Sequence, residues 1–166
     1  MEYVIYAAYG SNLLTERLLT YIKGERFRHL PKPHEGCPDK TEPVSLGWRN
    51  IPYRVYFGGY SYWWDGGVAF LSLEMEPDRE YHAVVRLWKM TREQYECVKS
   101  QEGESYAKEI NLGTLDGLEI LTFTSEEKLN YNPPSKLYLD VLKEGLKETT
   151  DWTDEEIDKY WEKFLK

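Results

Sequence analysis

The sequence predicts an α+β domain built on a small, mostly antiparallel, barrel-like β-sheet with flanking helices. Strand-length runs of β-branched and aromatic residues follow one another through most of the chain. Stretches with helix-capping signals stand near the two ends and once in the middle, and no internal repeat or low-complexity tract breaks that order. At 166 residues the expectation is one domain, residues 1–166, with one core.

The first element is the apolar run from Tyr3 to Tyr9, which reads as a buried strand and stops at Gly10. Ser11 or Asn12 is then placed to cap a helix carrying Leu14 and Leu18 at i, i+4, with Glu16 in its first turn. From Gly24 to Gly47 the chain is crowded with proline, glycine and charge, and a long irregular surface connection is expected. A second strand is expected at Tyr53 to Phe57 and a third at Val68 to Glu74, after Gly66-Gly67, with an aromatic loop from Tyr60 to Asp65 between them.

Tyr81 to Met90 alternates as a fourth strand. Thr91 and Gln94 form a capping-box pair that opens a helix with Tyr95, Val98 and Glu102 on one face, and Gly103 is placed to end it in a left-handed conformation. Tyr106 to Thr114 and Leu118 to Thr124 flank Asp116-Gly117, the signal of a type I′ hairpin. Asn132-Pro133-Pro134 breaks the chain, Ser135 caps a helix closed by Gly145, and Thr153 with Glu156 opens a last helix that buries Ile157, Tyr160, Trp161, Phe164 and Leu165.

The chain is 41% hydrophobic and 30% charged, a globular composition without a bilayer-spanning run. A net charge of -8 repels phosphate backbones and anionic lipid, which argues against nucleic-acid and membrane-surface partners. Glu2 follows Met1 and a strand begins at once, unlike a signal peptide, so a cytoplasmic location is expected and Cys37 and Cys97 are expected to be reduced thiols.

Two places hold the residue types of a reactive site. The turn Tyr9-Gly10-Ser11-Asn12 sets consecutive backbone N–H groups at a helix start after a strand, an arrangement suited to a carboxylate or oxyanion, although a capped helix with no ligand fits it equally well. Glu102 shares an apolar helix face and lies near the helix C-terminus, and both effects disfavour its anion. Such a carboxyl can exchange protons near neutrality, as a general acid/base must, or else it serves a buried partner.

The run Tyr9-Gly10-Ser11-Asn12-Leu13 after a first strand resembles the opening of the γ-glutamylcyclotransferase superfamily. Gly66-Gly67-Val68-Ala69 is similar to that family's glycine-led strand, and Gln101-Glu102-Gly103, with Tyr106 following, resembles the segment bearing its catalytic glutamate. Pro134-Ser135 with Tyr138, then Gly145, resembles its late helix. The resemblance implies cyclisation of a small γ-glutamyl amide to 5-oxoproline with release of the amine. Glu102 would be the general acid/base, and Tyr9, Gly10, Ser11, Asn12, Leu13, Tyr106 and Tyr138 would bind substrate. It implies no cofactor and no metal. The sequence leaves open the leaving amine and whether the protein is a monomer or a homodimer.

Other readings compete with this one. His29, His34 and Cys37 fall close together but lack a fourth nearby metal ligand. A Cys97 thiolate with His82 would make a different hydrolase, yet Cys97 falls inside a helix beside Val98. The serious competitor is a non-catalytic module that keeps the anion turn and grips a peptide or amine with its aromatic rim.

Overall fold

The computed structural model describes residues 1–165. In chain order the strands and helices are β1 (Tyr3–Ala8), α1 (Thr15–Lys23), β2 (Val44–Ile51), β3 (Val55–Ser61), β4 (Gly66–Leu71), β5 (Ala83–Thr91), α2 (Arg92–Glu102), β6 (Lys108–Leu115), β7 (Leu118–Thr124), α3 (Lys136–Thr149) and α4 (Asp154–Glu162). A 3₁₀ turn at Ser11–Leu13 links β1 to α1.

The α+β class and the antiparallel bias hold, but the sheet does not close into a barrel. Five strands pair in the order β2-β5-β1-β7-β6, and β3 and β4 form a separate two-stranded ribbon. β1 pairs antiparallel with β5 and parallel with β7, so the sheet is mixed and keeps two free edges. The ribbon is tied to the sheet by a side chain: Thr124 Oγ1 accepts from Leu71 N at 2.9 Å and donates to Leu71 O at 2.9 Å.

β1 lies at the centre, and its alternation explains how the helices are laid out. Ile5, Ala7 and Tyr9 point to one core, which α3 and α4 fill with Val141, Leu142, Leu146, Ile157 and Trp161. Val4, Tyr6 and Ala8 point to the other, filled by Leu18, Tyr21 and Ile22 of α1 and Tyr95 and Val98 of α2. A strand buried on both faces needs an unbroken apolar run, which is what Tyr3 to Ala8 supplies.

Several boundaries differ from expectation. β2 occupies the end of the stretch expected to be irregular, because it is a largely exposed edge strand with a register break between Ser45 and Trp48 and so shows no clear burial pattern. α1 starts at Thr15 and not at Ser11 or Asn12; its N-terminal amide is capped from another element, with Glu148 Oε1 accepting from Thr15 N at 2.7 Å. α3 runs through Gly145 to Thr149. A Cβ at Gly145 would lie 2.7 Å from Leu13 Cβ and 3.1 Å from Leu14 N, so this glycine serves a close approach and not a helix end. Gly103 has positive φ but an extended ψ and leads into a 3₁₀ turn.

Other expectations are met closely. Thr91 with Gln94 and Thr153 with Glu156 are full capping boxes, Ser135 caps α3, and Asp116 and Gly117 both have positive φ, as a type I′ turn requires.

Cys37 and Cys97, expected to be reduced, are joined in a disulfide with Cα atoms 5.9 Å apart. The connection after α1 folds back over α2, a juxtaposition that a separation of 60 residues does not reveal.

Candidate active site

The glycine-led strand, the proline breaker and the first loop are one packing unit. A Cβ on Gly66 would meet Ser135 N at 2.9 Å, and one on Gly67 would meet Asn132 O at 1.9 Å. Gly67 N donates to Pro133 O at 3.0 Å, so the start of β4 sets where α3 begins. α3 then carries Gly145 to the underside of the first loop. That loop is clamped further: Leu13 O accepts from Arg86 Nη1 at 2.9 Å and from Thr149 Oγ1 at 3.1 Å.

Between this unit and the C-terminus of α2 lies a cavity of about 300 Å³, with a recess of about 30 Å³ at its inner end. Ser11, Glu102, Tyr106 and Tyr138 line both. The outer part is walled by Tyr60, Tyr62, Trp63 and Trp64 of the aromatic segment and by Arg17 and Tyr21 of α1. The long connection buttresses that wall from behind, with the His34 ring stacked on Trp63 at 4.5 Å.

Glu102 meets the first loop directly. Asn12 Nδ2 donates to Glu102 Oε1 at 3.0 Å and to Tyr6 OH at 3.1 Å, while Asn12 O accepts from Trp88 Nε1 at 3.0 Å. The side-chain NH₂ is thus shared between the carboxylate and the Tyr6 hydroxyl, while the backbone carbonyl of the same residue is fixed by Trp88. Asn12 Oδ1 is buried and has no hydrogen-bond partner among the described residues, a loss of about 1–3 kcal/mol unless a ligand supplies a donor.

The Glu102 residue is half-buried, but its carboxylate is enclosed by the cavity wall. Burial is the strongest influence and pushes its pKa above the usual carboxylate range; the Arg17 charge and contacts from Tyr21 and Asn12 oppose that rise without cancelling it.

Tyr106 and Tyr138 grip opposite sides of one residue of β4. Tyr106 OH donates to Ala69 O at 2.9 Å, whereas Tyr138 OH accepts from Ala69 N at 3.0 Å. The Tyr106 proton is therefore committed to the backbone, and the Tyr138 proton remains available to the cavity. The Tyr138 oxygen would lie 3.3 Å from a Cβ at Gly10, so glycine at this position leaves room between the loop and that hydroxyl.

Of the residues expected from sequence, Tyr9, Gly10, Ser11, Asn12, Glu102, Tyr106 and Tyr138 surround the inner recess. Leu13 does not. Its N–H is taken by Gly10 O at 3.0 Å and its side chain is fully buried in the core with Leu142 and Leu146. The helix dipole expected at this turn is also largely missing, because Ser11 to Leu13 form a single 3₁₀ turn and α1 begins only afterwards.

Sequence reasoning missed Arg17, Tyr21 and Tyr6. Arg17 and Tyr21 stand at i, i+4 on the buried face of α1, and a charged residue on that apolar stripe was the available signal. The residues of the rival readings are engaged elsewhere: Cys37 and Cys97 with each other, His34 Nε2 with Arg17 Nη1 at 2.8 Å, and His82 Nε2 with Glu76 O at 2.7 Å.

No family model matches the chain. A solved structure named gamma-glutamyl cyclotransferase superposes with a TM-score of 0.70 at 23% identity, covering 96% of this chain and 87% of that one, which shows a shared fold. The chain aligns at 28% identity over 202 residues with an Arabidopsis thaliana protein named histone deacetylase 5, covering 96% of this chain but spanning only 30% of that protein's length. The human gamma-glutamylcyclotransferase is 32% identical over 155 residues, covering 89% of this chain and 72% of that protein, and with the shared fold this places the chain in the γ-glutamylcyclotransferase family.

Proposed function

We propose that this protein cyclises a γ-glutamyl amide or γ-glutamyl amino acid to 5-oxoproline with release of the amine, and that Glu102 is its general acid/base. The observation that carries this reading is the Asn12–Glu102 contact of 3.0 Å, which brings the acid of α2 to the mouth of the first loop.

The chemistry needs few groups because nucleophile and electrophile belong to one molecule. The substrate's α-ammonium gives a proton to Glu102, and the freed amine attacks its own γ-carbonyl carbon, forming the ring C–N bond. In the tetrahedral adduct Glu102 passes its proton to the leaving nitrogen and takes the second proton from the ring nitrogen; the oxyanion then collapses by breaking the bond to the leaving nitrogen, and the departing amine takes that second proton from Glu102 and leaves as an ammonium. No water is consumed and the carboxyl ends as it began. A raised pKa suits both transfers, since the carboxylate must first be basic enough to accept and then acidic enough to give.

The remaining groups divide the binding. Asn12 Oδ1, which has no hydrogen-bond partner among the described residues, accepts from the substrate ammonium. Tyr138 donates its hydroxyl proton to the substrate oxygen beside the Gly10 turn, where the amides of Ser11 and Asn12, in the first turn of the 3₁₀ segment, have no intrahelical partner. The aromatic wall from Tyr60 to Trp64 faces the leaving group.

The test is incubation with a panel of γ-glutamyl amides and amino acids, with 5-oxoproline read by mass spectrometry. Wild-type protein should form 5-oxoproline from at least one substrate, and Glu102→Gln should form none while still binding it by calorimetry. Binding without turnover by the wild type across the panel would favour the non-catalytic module.

A further inference from the structure

Arg17 is an unusual side chain to find in this core. It is 1% exposed, and among the described residues its Nε has no hydrogen-bond partner. Its planar group lies over the rings of Tyr21 at 4.4 Å and Trp64 at 5.1 Å. A buried guanidinium is costly unless its charge does something for a neighbour.

Its donors show which neighbour. Nη1 points at His34 Nε2 at 2.8 Å, and this works only if that nitrogen carries a lone pair; burial first, and then Arg17 itself, depress the His34 pKa to about 3 and keep the ring neutral. Nη2 donates to Tyr21 OH at 2.7 Å. Having accepted from Arg17, Tyr21 has its own proton to give, and its hydroxyl faces the Glu102 carboxylate.

We infer that Arg17 is a positioning residue of this site: acting through the Tyr21 hydroxyl, it holds the enclosed Glu102 carboxylate as an anion that is ready to take a proton at neutral pH. This rests on the assignment of Glu102 as acid/base. The groups facing Glu102 are Arg17 and Tyr21 from α1, Tyr6 in β1 and Tyr9 just after it, Tyr106 after α2, and Tyr138 from α3. Burial raises the pKa of every one of these tyrosines, so they stay neutral. Arg17 is the charge in this group that favours the carboxylate. His34 serves as a backstop that fixes the guanidinium without competing as a second cation.

The experiment compares wild type with Arg17→Met, Arg17→Lys and Tyr21→Phe in two readouts. The first is the pH profile of kcat and kcat/KM on a γ-glutamyl amide. Arg17→Met should move the acid limb upward by about one pH unit or more, as expected for loss of a nearby opposite charge, and lower kcat at neutral pH with KM within about twofold. Arg17→Lys should restore part of the shift, Tyr21→Phe should move the limb in the same direction, and the double variant should add little to Arg17→Met.

The second readout needs no turnover. It is the carbon-13 titration of the Glu102 carboxyl in glutamate-labelled protein, assigned by the signal missing from Glu102→Gln. Its midpoint should rise in Arg17→Lys and Tyr21→Phe, which both keep the buried volume nearly filled. An unmoved midpoint in those variants would overturn the inference even in a protein that proves inactive as a cyclase. A uniform loss of rate at every pH, or a rise in KM with kcat unchanged, would equally overturn it, the latter by making Arg17 a substrate anchor.

Discussion

Replacing Gly145 with alanine sets two physical effects against each other where α3 meets the first loop. In an ordinary helix interior the change stabilises by about 1 kcal/mol, because glycine loses more backbone freedom on folding. Here the new methyl would sit 2.7 Å from Leu13 Cβ, 3.1 Å from Leu14 N and 3.2 Å from Leu13 C, where carbon contacts normally lie at about 3.5–4.0 Å. Two of those three atoms are backbone, and that backbone is pinned by Arg86 and Thr149, so the strain cannot be relieved by a rotamer change. Overpacking of this kind costs about 1–3 kcal/mol. The clash outweighs the propensity gain, and Gly145→Ala should lose about 1 kcal/mol net in urea denaturation at unchanged m-value. Because the yielding element is the loop that bears Asn12, formation of 5-oxoproline should fall by more than the stability loss alone explains; a displacement of about 1 Å at a positioning group costs up to about a hundredfold in rate. A variant more stable than wild type and equally active would refute the claim that this glycine exists for close approach.

Further outcomes follow from the same geometry. Because the folded-state pKa of Glu102 is raised, the folded protein holds its proton more tightly than the unfolded chain, and stability falls as pH rises through the interval between the two values. Glu102→Gln should therefore gain stability relative to wild type at pH 8 compared with about pH 4, each tenfold change in proton affinity being worth about 1.4 kcal/mol; thermal melts that show the opposite trend would exclude a raised pKa. Tyr138→Phe removes the free hydroxyl proton and the acceptor for Ala69 N, and kcat should drop by about ten- to a thousandfold in the 5-oxoproline assay, with a modest loss in melting temperature. Reduction of Cys37–Cys97, or Cys37→Ser, should destabilise the chain by up to about 4 kcal/mol on loop-closure grounds for a separation of 60 residues, read as a fall in denaturation midpoint with and without reductant.

The candidate site was legible where the physics is local. The turn at Gly10, the capping box at Thr91 and Gln94 that launches α2, and the i, i+3, i+7 face that ends in Glu102 are all short-range patterns. Leu13 stands away from the recess, and its place in the run says nothing of which side of the loop its side chain takes. Arg17 and Tyr21 were overlooked because their importance comes from what α2 and the connection after α1 bring to them.

The sequence by itself determined the strands with two-sided apolar runs, the helix caps at Thr91, Ser135 and Thr153, the type I′ turn and the mostly antiparallel α+β character, since each follows from backbone preference or from a period of 2 or 3.6 residues. Only the tertiary structure decided that the sheet stays open and mixed, that Gly145 carries contact and not termination, and that Cys37 meets Cys97. It also decided that Asn12 meets Glu102 by a hydrogen bond and that Arg17 and Tyr21 line the same cavity. Those facts concern which distant surfaces touch, and contact between residues far apart in the chain is fixed by the packing of whole elements, of which a linear pattern holds no record.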